Sequence, residues 1–277
     1  MNFNFGDVLG RTWKIGWNYK VLWLWQMLPG LFLVILTPYR FLSSPIFIIN
    51  FIIPITLALA SIFAQLAITY GALKVEKSVE KLSLREMFSE SLPYFSRVLG
   101  LYFLFGSAGM LIWVGFIAIY FAGFMLTSGL TFIILVPLFL LLIAVFLAGY
   151  SILELSQAAV IANDMRTIDA IGHSWRLFRA NATGVILLMA VLYFGMFILL
   201  SIFMLPMIFL FPLRMNSQGN FNNLLPVLSQ LISLILLVVH GILMTFFQSA
   251  WAVTYLRLNN STNTPIILEE KPVEAGI

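Results

Sequence analysis

The chain has no cysteine, only two histidines and little charge: Asp, Glu, Lys and Arg together make up 9% of its 277 residues. Without cysteine there are no disulfides, no thiolate metal sites and no cysteine nucleophile. The histidines, His173 and His240, lie far apart in the sequence, so no imidazole cluster offers a metal site, and no cofactor is expected. An ordinary soluble domain carries about 25% charged residues to cover its surface. This chain lacks that cover, and 61% of it is apolar. Lipid is the solvent that removes the need for polar cover, and it admits only structures that satisfy their own backbone, here helices. The reading is an all-α integral membrane protein.

A span needs about 20 mostly apolar residues to cross about 30 Å of hydrocarbon. Six stretches qualify, roughly Val21–Pro38, Pro45–Leu73, Val98–Leu126, Leu130–Ile161, Gly184–Pro212 and Leu225–Leu256. The third and fourth are split at Thr127-Ser128-Gly129, because a single helix from Val98 to Ile161 would reach far out of a bilayer. The first run follows Asp7, Arg11, Lys14 and Lys20 and ends without a small-x-small cleavage site, so it is read as a retained span and not a signal peptide.

The net charge of +4 has a topological reading. Arg11, Lys14 and Lys20 precede span one; Lys74, Lys77, Lys81, Arg85 and Arg97 separate spans two and three. Arg166, Arg176 and Arg179 separate four and five, and Arg257 and Lys271 follow six. Thirteen of the 15 basic residues thus fall on one side, leaving Arg40 and Arg214 on the other. The positive-inside rule then puts both termini in the cytoplasm. Nucleic acid is not expected as a partner; membrane lipids and other membrane proteins are.

Three segments preceding spans one, three and five resemble one another. Asp7-Val8-Leu9-Gly10-Arg11-Thr12-Trp13-Lys14 aligns with Asp169-Ala170-Ile171-Gly172-His173-Ser174-Trp175-Arg176, and Glu86-Met87-Phe88-Ser89-Glu90-Ser91-Leu92 fits the same frame. Their apolar residues keep helical spacing, with Ser83 and Thr167 as expected N-caps. The closing spans also repeat, with Gln65-Leu66-Ala67, Gln157-Ala158-Ala159 and Gln248-Ser249-Ala250. The expectation is a threefold repeat of an amphipathic helix plus two spans, with units at about 1–74, 75–166 and 167–258 in one membrane domain, followed by a disordered cytoplasmic tail over 259–277. Trp13, Trp17, Trp23, Trp25 and Trp175 suit the headgroup level, with Lys14, Lys20, Arg176 and Arg179 reaching anionic lipid. Packing of these helices beneath the bundle, as struts, is the alternative.

Candidate chemistry is sparse. Glu154 is the one acidic residue inside a predicted span, where charge is costly. Tyr150, Ser151, Glu154 and Gln157 share one helical face. That stripe is either a proton, cation or headgroup site or a structural tie. Gln65, Gln157 and Gln248 either line a polar cavity or bond helices together. His240, mid-span, has no carboxylate within a turn and reads as structural. The small pairs Ala60/Ala64 and Ala67/Gly71 indicate close helix packing. No phosphate-binding loop and no serine–histidine–acid motif occurs, so a catalytic set is not expected. Function is read as a non-catalytic module organising lipid or partner proteins. A small transporter or channel built on the Glu154 stripe is the alternative, and an intramembrane lipid enzyme ranks third.

The motifs Thr12-Trp13-Lys14-Ile15-Gly16-Trp17-Asn18 and His173-Ser174-Trp175-Arg176-Leu177-Phe178-Arg179-Ala180-Asn181, with Gln248-Ser249-Ala250-Trp251 and Tyr255-Leu256-Arg257, carry a resemblance over most of the chain. It resembles a broad group of uncharacterised prokaryotic membrane proteins, among them the membrane domain attached to some glycerophosphodiester phosphodiesterases. The resemblance implies a bacterial or archaeal plasma-membrane protein. The catalytic domain of those fused relatives is absent from these residues, so its activity is not implied.

Overall fold

A computed structural model describes residues 5–36, 51–77, 81–127, 131–216 and 224–263. Among them every regular element is helical. The order is α1 (Phe5–Asn18), α2 (Val21–Leu36), α3 (Ile53–Glu76), α4 (Leu84–Ser91), α5 (Phe95–Thr127), α6 (Thr131–Asn163), α7 (Thr167–Ala180), α8 (Ala182–Asn216) and α9 (Leu224–Asn263). A 3-10 turn, Leu92–Tyr94, joins α4 to α5. The break between α5 and α6 falls at the expected Thr127.

Five helices, α3, α5, α6, α8 and α9, are long and apolar enough to cross a membrane. The sixth expected span corresponds to α2. It is described over 16 residues, about 24 Å of helix, and residues 37–50 lie outside the described set. On α5 and α8 large apolar side chains such as Leu111, Met125, Phe194 and Phe197 stand well exposed. In water such a surface would aggregate; against acyl chains it needs no cover.

The core is formed by α3, α6 and α9, each of which packs on the other two. Their buried stretches are Leu66–Thr69, Ala158–Ile161 and Ser249–Ala252, and small residues among them allow the close approach. Gly71 shows why size matters. A Cβ there would lie 2.7 Å from Leu22 Cδ2 and 2.9 Å from Met87 Cε, so α2 and α4 seat against α3 only because the position has no side chain. Around this trio, α2, α5 and α8 each contact two of the central helices.

The charged ends of the helices meet at one end of the bundle. Arg11 Nε pairs with Glu76 Oε2 at 2.7 Å, and Arg257 Nη2 reaches Asp7 Oδ2 at 3.1 Å and Glu76 Oε1 at 3.8 Å, joining α1, α3 and α9. Lys74 bonds Glu86 and Glu90, tying α3 to α4. Arg97 Nη1 donates to Asp164 Oδ1 at 2.6 Å and to the Asp164 carbonyl at 3.2 Å. Asp164 has φ 52°, a left-handed turn that Asp tolerates and that reverses the chain from α6 into α7.

Local signals explain the short helices, with two corrections. Ser83 caps α4 as expected, its hydroxyl accepting from the Glu86 N–H at 3.2 Å. Thr167 is the first residue of α7 and not its cap; its hydroxyl donates to the Arg97 carbonyl at 3.1 Å and so links α7 to α5. Acidic Asp7, Glu86 and Asp169 sit in first turns, where they complement the helix dipole. The second correction concerns the tail, since α9 runs through Asn263 and not to 258. Buried Leu258 and the 3.2 Å contact between His173 Nε2 and Asn259 Oδ1 hold its last turns against α7. Residues 264–277 lie outside the described set.

Candidate functional site

Gln65, Gln157 and Gln248 converge where α3, α6 and α9 meet, within one buried hydrogen-bond cluster. Gln248 accepts from the Thr69 hydroxyl at 2.9 Å and donates to Gln65 Oε1 at 3.2 Å and Glu154 Oε1 at 3.3 Å. Gln157 Nε2 donates to Thr69 Oγ1 at 2.9 Å. From α5 the Tyr102 hydroxyl donates to Gln65 Oε1 at 2.7 Å and lies 3.1 Å from Gln157 Oε1. Gln157, Gln248, Thr69 and Glu154 are all buried.

Glu154 is the least satisfied member. Its Oε1 has the single Gln248 donor, and Oε2 has no well-formed hydrogen bond among the described residues. The Tyr150 hydroxyl, one turn away, comes close enough to interact with the carboxyl without closing that bond. The Tyr150 ring packs edge-on against Tyr193 and Phe247, which bring α8 and α9 over the carboxyl. Ser151 does not join the cluster: its hydroxyl donates to the Leu147 carbonyl of its own helix at 2.7 Å. His240 also stands apart, 3.4 Å from Gln26 Nε2 on α2.

Two members escaped the sequence reading. Thr69 stands one turn after Gln65, a polar i, i+4 pair on one face, and that spacing was the available signal. Tyr102 offered only a lone hydroxyl in an apolar span, with nothing local to point at a partner.

The tryptophan positions divide. Trp13 and Trp17 are exposed, with ring centroids 5.7 Å apart and planes 5° from parallel. Trp175 is exposed beside Arg176 and Arg179. Trp23 donates from its indole nitrogen to the Gly16 carbonyl at 2.7 Å, which fixes the corner between α1 and α2. Trp25 departs from the headgroup expectation: it is buried between Phe63 and Phe88, because the start of α2 turns that face onto α3 and α4. Lys14, Lys20, Arg176 and Arg179 are exposed. The opposite faces of α1 and α7 are buried through Val8, Thr12 and Ile15 and through Ala170, Ser174 and Leu177. Strut and exposed aromatic–basic face therefore coexist on each helix.

Outside the cluster, two apolar grooves open on the exposed apolar surface. One, of about 400 Å³, lies between α1, α8 and α9; the other, of about 380 Å³, lies between α2, α3 and the α4–α5 corner. Neither is lined by a residue of the glutamine cluster. His173, at the charged end, has its pKa lowered by partial burial and to a lesser degree by Arg176, with the Asn259 contact opposing. No metal-binding group of His, Asp or Glu side chains forms among the described residues.

No curated protein and no solved structure matches the chain. The comparisons supply no link to the membrane domains of glycerophosphodiester phosphodiesterases. Residues 23–258, most of the chain, match the family described as Domain of unknown function (DUF7847), and the chain belongs to that family.

Proposed function

We propose that the chain is a non-catalytic module of a prokaryotic plasma membrane, built of three units, that organises lipid through amphipathic helices at the inner surface. In this reading α2 is a sixth span, both termini are cytoplasmic, and α1, α4 and α7 each open a unit of two spans. The observation that carries it is the two-faced character of α1 and α7. One face of each is locked to the bundle, while exposed tryptophan and basic side chains stand on the other. Tryptophan beside lysine or arginine is the side-chain set that anchors to a headgroup layer.

Burial in register supports the three units. The aligned positions Val8, Met87 and Ala170 are buried alike, and so are Thr12, Ser91 and Ser174. The basic residues Lys74, Arg166 and Arg257 occupy equivalent places after the closing spans. Lys74 pairs with Glu86, and Arg257 with the aligned Asp7. The second of these pairs links the last unit back to the first, as in a closed ring. The grooves follow the same frame. Val239, Ile242, Leu243, Phe246 and Phe247 of one correspond to Thr56, Leu59, Ala60, Phe63 and Ala64 of the other, at the 183-residue separation of Gln248 from Gln65. The resemblance to the membrane domain of certain phosphodiesterases belongs to this reading as its source of the prokaryotic assignment.

The second reading, a small transporter, rests on the unpartnered Glu154 Oε2. Close packing weighs against it, since the carboxyl is surrounded by buried side chains and neither groove reaches it. The test is lipid retention by the purified chain. Trp13→Ala with Trp175→Ala should lower the amount of co-purifying phospholipid while helix content stays the same. A flux through reconstituted vesicles that Glu154→Gln abolishes would overturn the proposal in favour of transport.

A further inference from the structure

We infer that the groove between α1, α8 and α9 is a binding site for one acyl chain of an anionic phospholipid, whose phosphate is held by Lys14 and Lys20. This rests on the interfacial placement of α1 proposed above and names the lipid class. The groove is walled by Gly195 and Leu199 of α8 and by Leu243 and Phe246 of α9, and its charged end is roofed by Trp13 and Trp17. Trp13 packs on Phe246 with centroids 5.1 Å apart, so roof and wall form one surface.

Gly195 lines the groove, and a Cβ there would meet nothing within 4 Å, so a larger side chain at this position has room to project into the open space. The lining is almost wholly apolar, which suits a hydrocarbon chain and offers a polar ligand nothing to bond.

The headgroup follows from the charges. The other charged residues of α1 are already engaged, Asp7 with Arg257 and Arg11 with Glu76. Lys14 follows Trp13 in α1, and Lys20 lies in the turn into α2; both are exposed and neither has an acidic partner among the described residues. One of these ammonium groups follows Trp13 directly in the chain and the other comes three residues after Trp17. Two cations next to the tryptophans that line an apolar groove complement a phosphodiester attached to an acyl chain. A zwitterionic headgroup gains less, because its own cation opposes the lysines. A membrane-proximal lysine favours anionic lipid by about five-fold, and the preference fades as salt screens it.

The test is quenching of Trp13 and Trp17, taken as the difference between the full chain and a Trp13→Phe, Trp17→Phe variant. The chain is placed in phosphatidylcholine vesicles containing brominated-chain phosphatidylglycerol, and in the converse mixture with the bromines on phosphatidylcholine. The anionic lipid should quench at least about five-fold more strongly per mole at low salt. Lys14→Ala with Lys20→Ala should reduce that preference to near unity. Gly195→Leu, a favourable exchange for a helix, should weaken quenching by either lipid while the circular dichroism stays unchanged. Equal quenching by both lipids, indifferent to the lysines, would overturn the site and leave the interfacial placement of α1 standing. Absence of quenching by either lipid would overturn that placement too, and would mean that protein covers the groove.

Discussion

Replacing Gln248 with leucine removes three hydrogen bonds at the meeting point of α3, α6 and α9, those to Thr69, Gln65 and Glu154. Bonds between helices within a membrane contribute about 0.6 kcal/mol each on average, so the three together are worth about 2 kcal/mol. The Glu154 carboxyl would also lose its one well-formed donor, and stranding a buried polar group costs about 1–3 kcal/mol more. Gln248→Leu should therefore destabilise the fold by roughly 3–5 kcal/mol. The same exchange in a Glu154→Leu background should cost only about 1.2 kcal/mol, because two bonds remain to be lost and no carboxyl is left to strand. Reversible unfolding in mixed micelles, followed by circular dichroism across the double-mutant cycle, measures both costs. A coupling above about 1 kcal/mol fits the cluster, whereas additivity within about 0.5 kcal/mol would refute it.

Gly71→Val should cost about 1–3 kcal/mol, measured by the same unfolding assay, since the added carbons collide with Leu22 and Met87. A neutral outcome would mean that α2 and α4 do not seat on α3. The depressed pKa of His173 gives a pH dependence of known sign. The fold disfavours the charged ring, so this contribution is complete above the ordinary value of about 6.5 and is lost as pH falls below it. His173→Gln should flatten the fall in thermal stability as pH drops below about 6.5; an unchanged slope would place the titration elsewhere.

Much of this arrangement was legible in the residues, and the limits have physical causes. Long apolar runs gave α3, α5, α6, α8 and α9, because a bilayer demands an uninterrupted apolar stretch whatever the neighbours are. The three glutamines were visible as a pattern, yet only packing decides between a cavity and a tie, and packing is non-local. Thr69 and Tyr102 enter the cluster from helices far apart in sequence, so Tyr102 left no local trace. Trp25 illustrates the converse. It has the same residue type as Trp13, but the face that α2 turns toward Phe63 and Phe88 buries it. The pairing of Arg257 with Asp7 joins opposite ends of the chain, and no spacing rule reaches that far.

The most direct test of the account is sidedness. The chain lacks cysteine, so single substitutions need no background correction. Lys14→Cys, Lys81→Cys, Arg176→Cys, Arg40→Cys and Gln218→Cys would each be labelled in intact cells with a membrane-impermeant maleimide, then again after permeabilisation. Three like-oriented units predict that Arg40→Cys and Gln218→Cys react from outside. Lys14→Cys, Lys81→Cys and Arg176→Cys should react only once the membrane is opened. Reaction of Lys81→Cys and Arg176→Cys on opposite sides, or protection of Arg40→Cys in intact cells, would contradict six spans and the three-unit arrangement together.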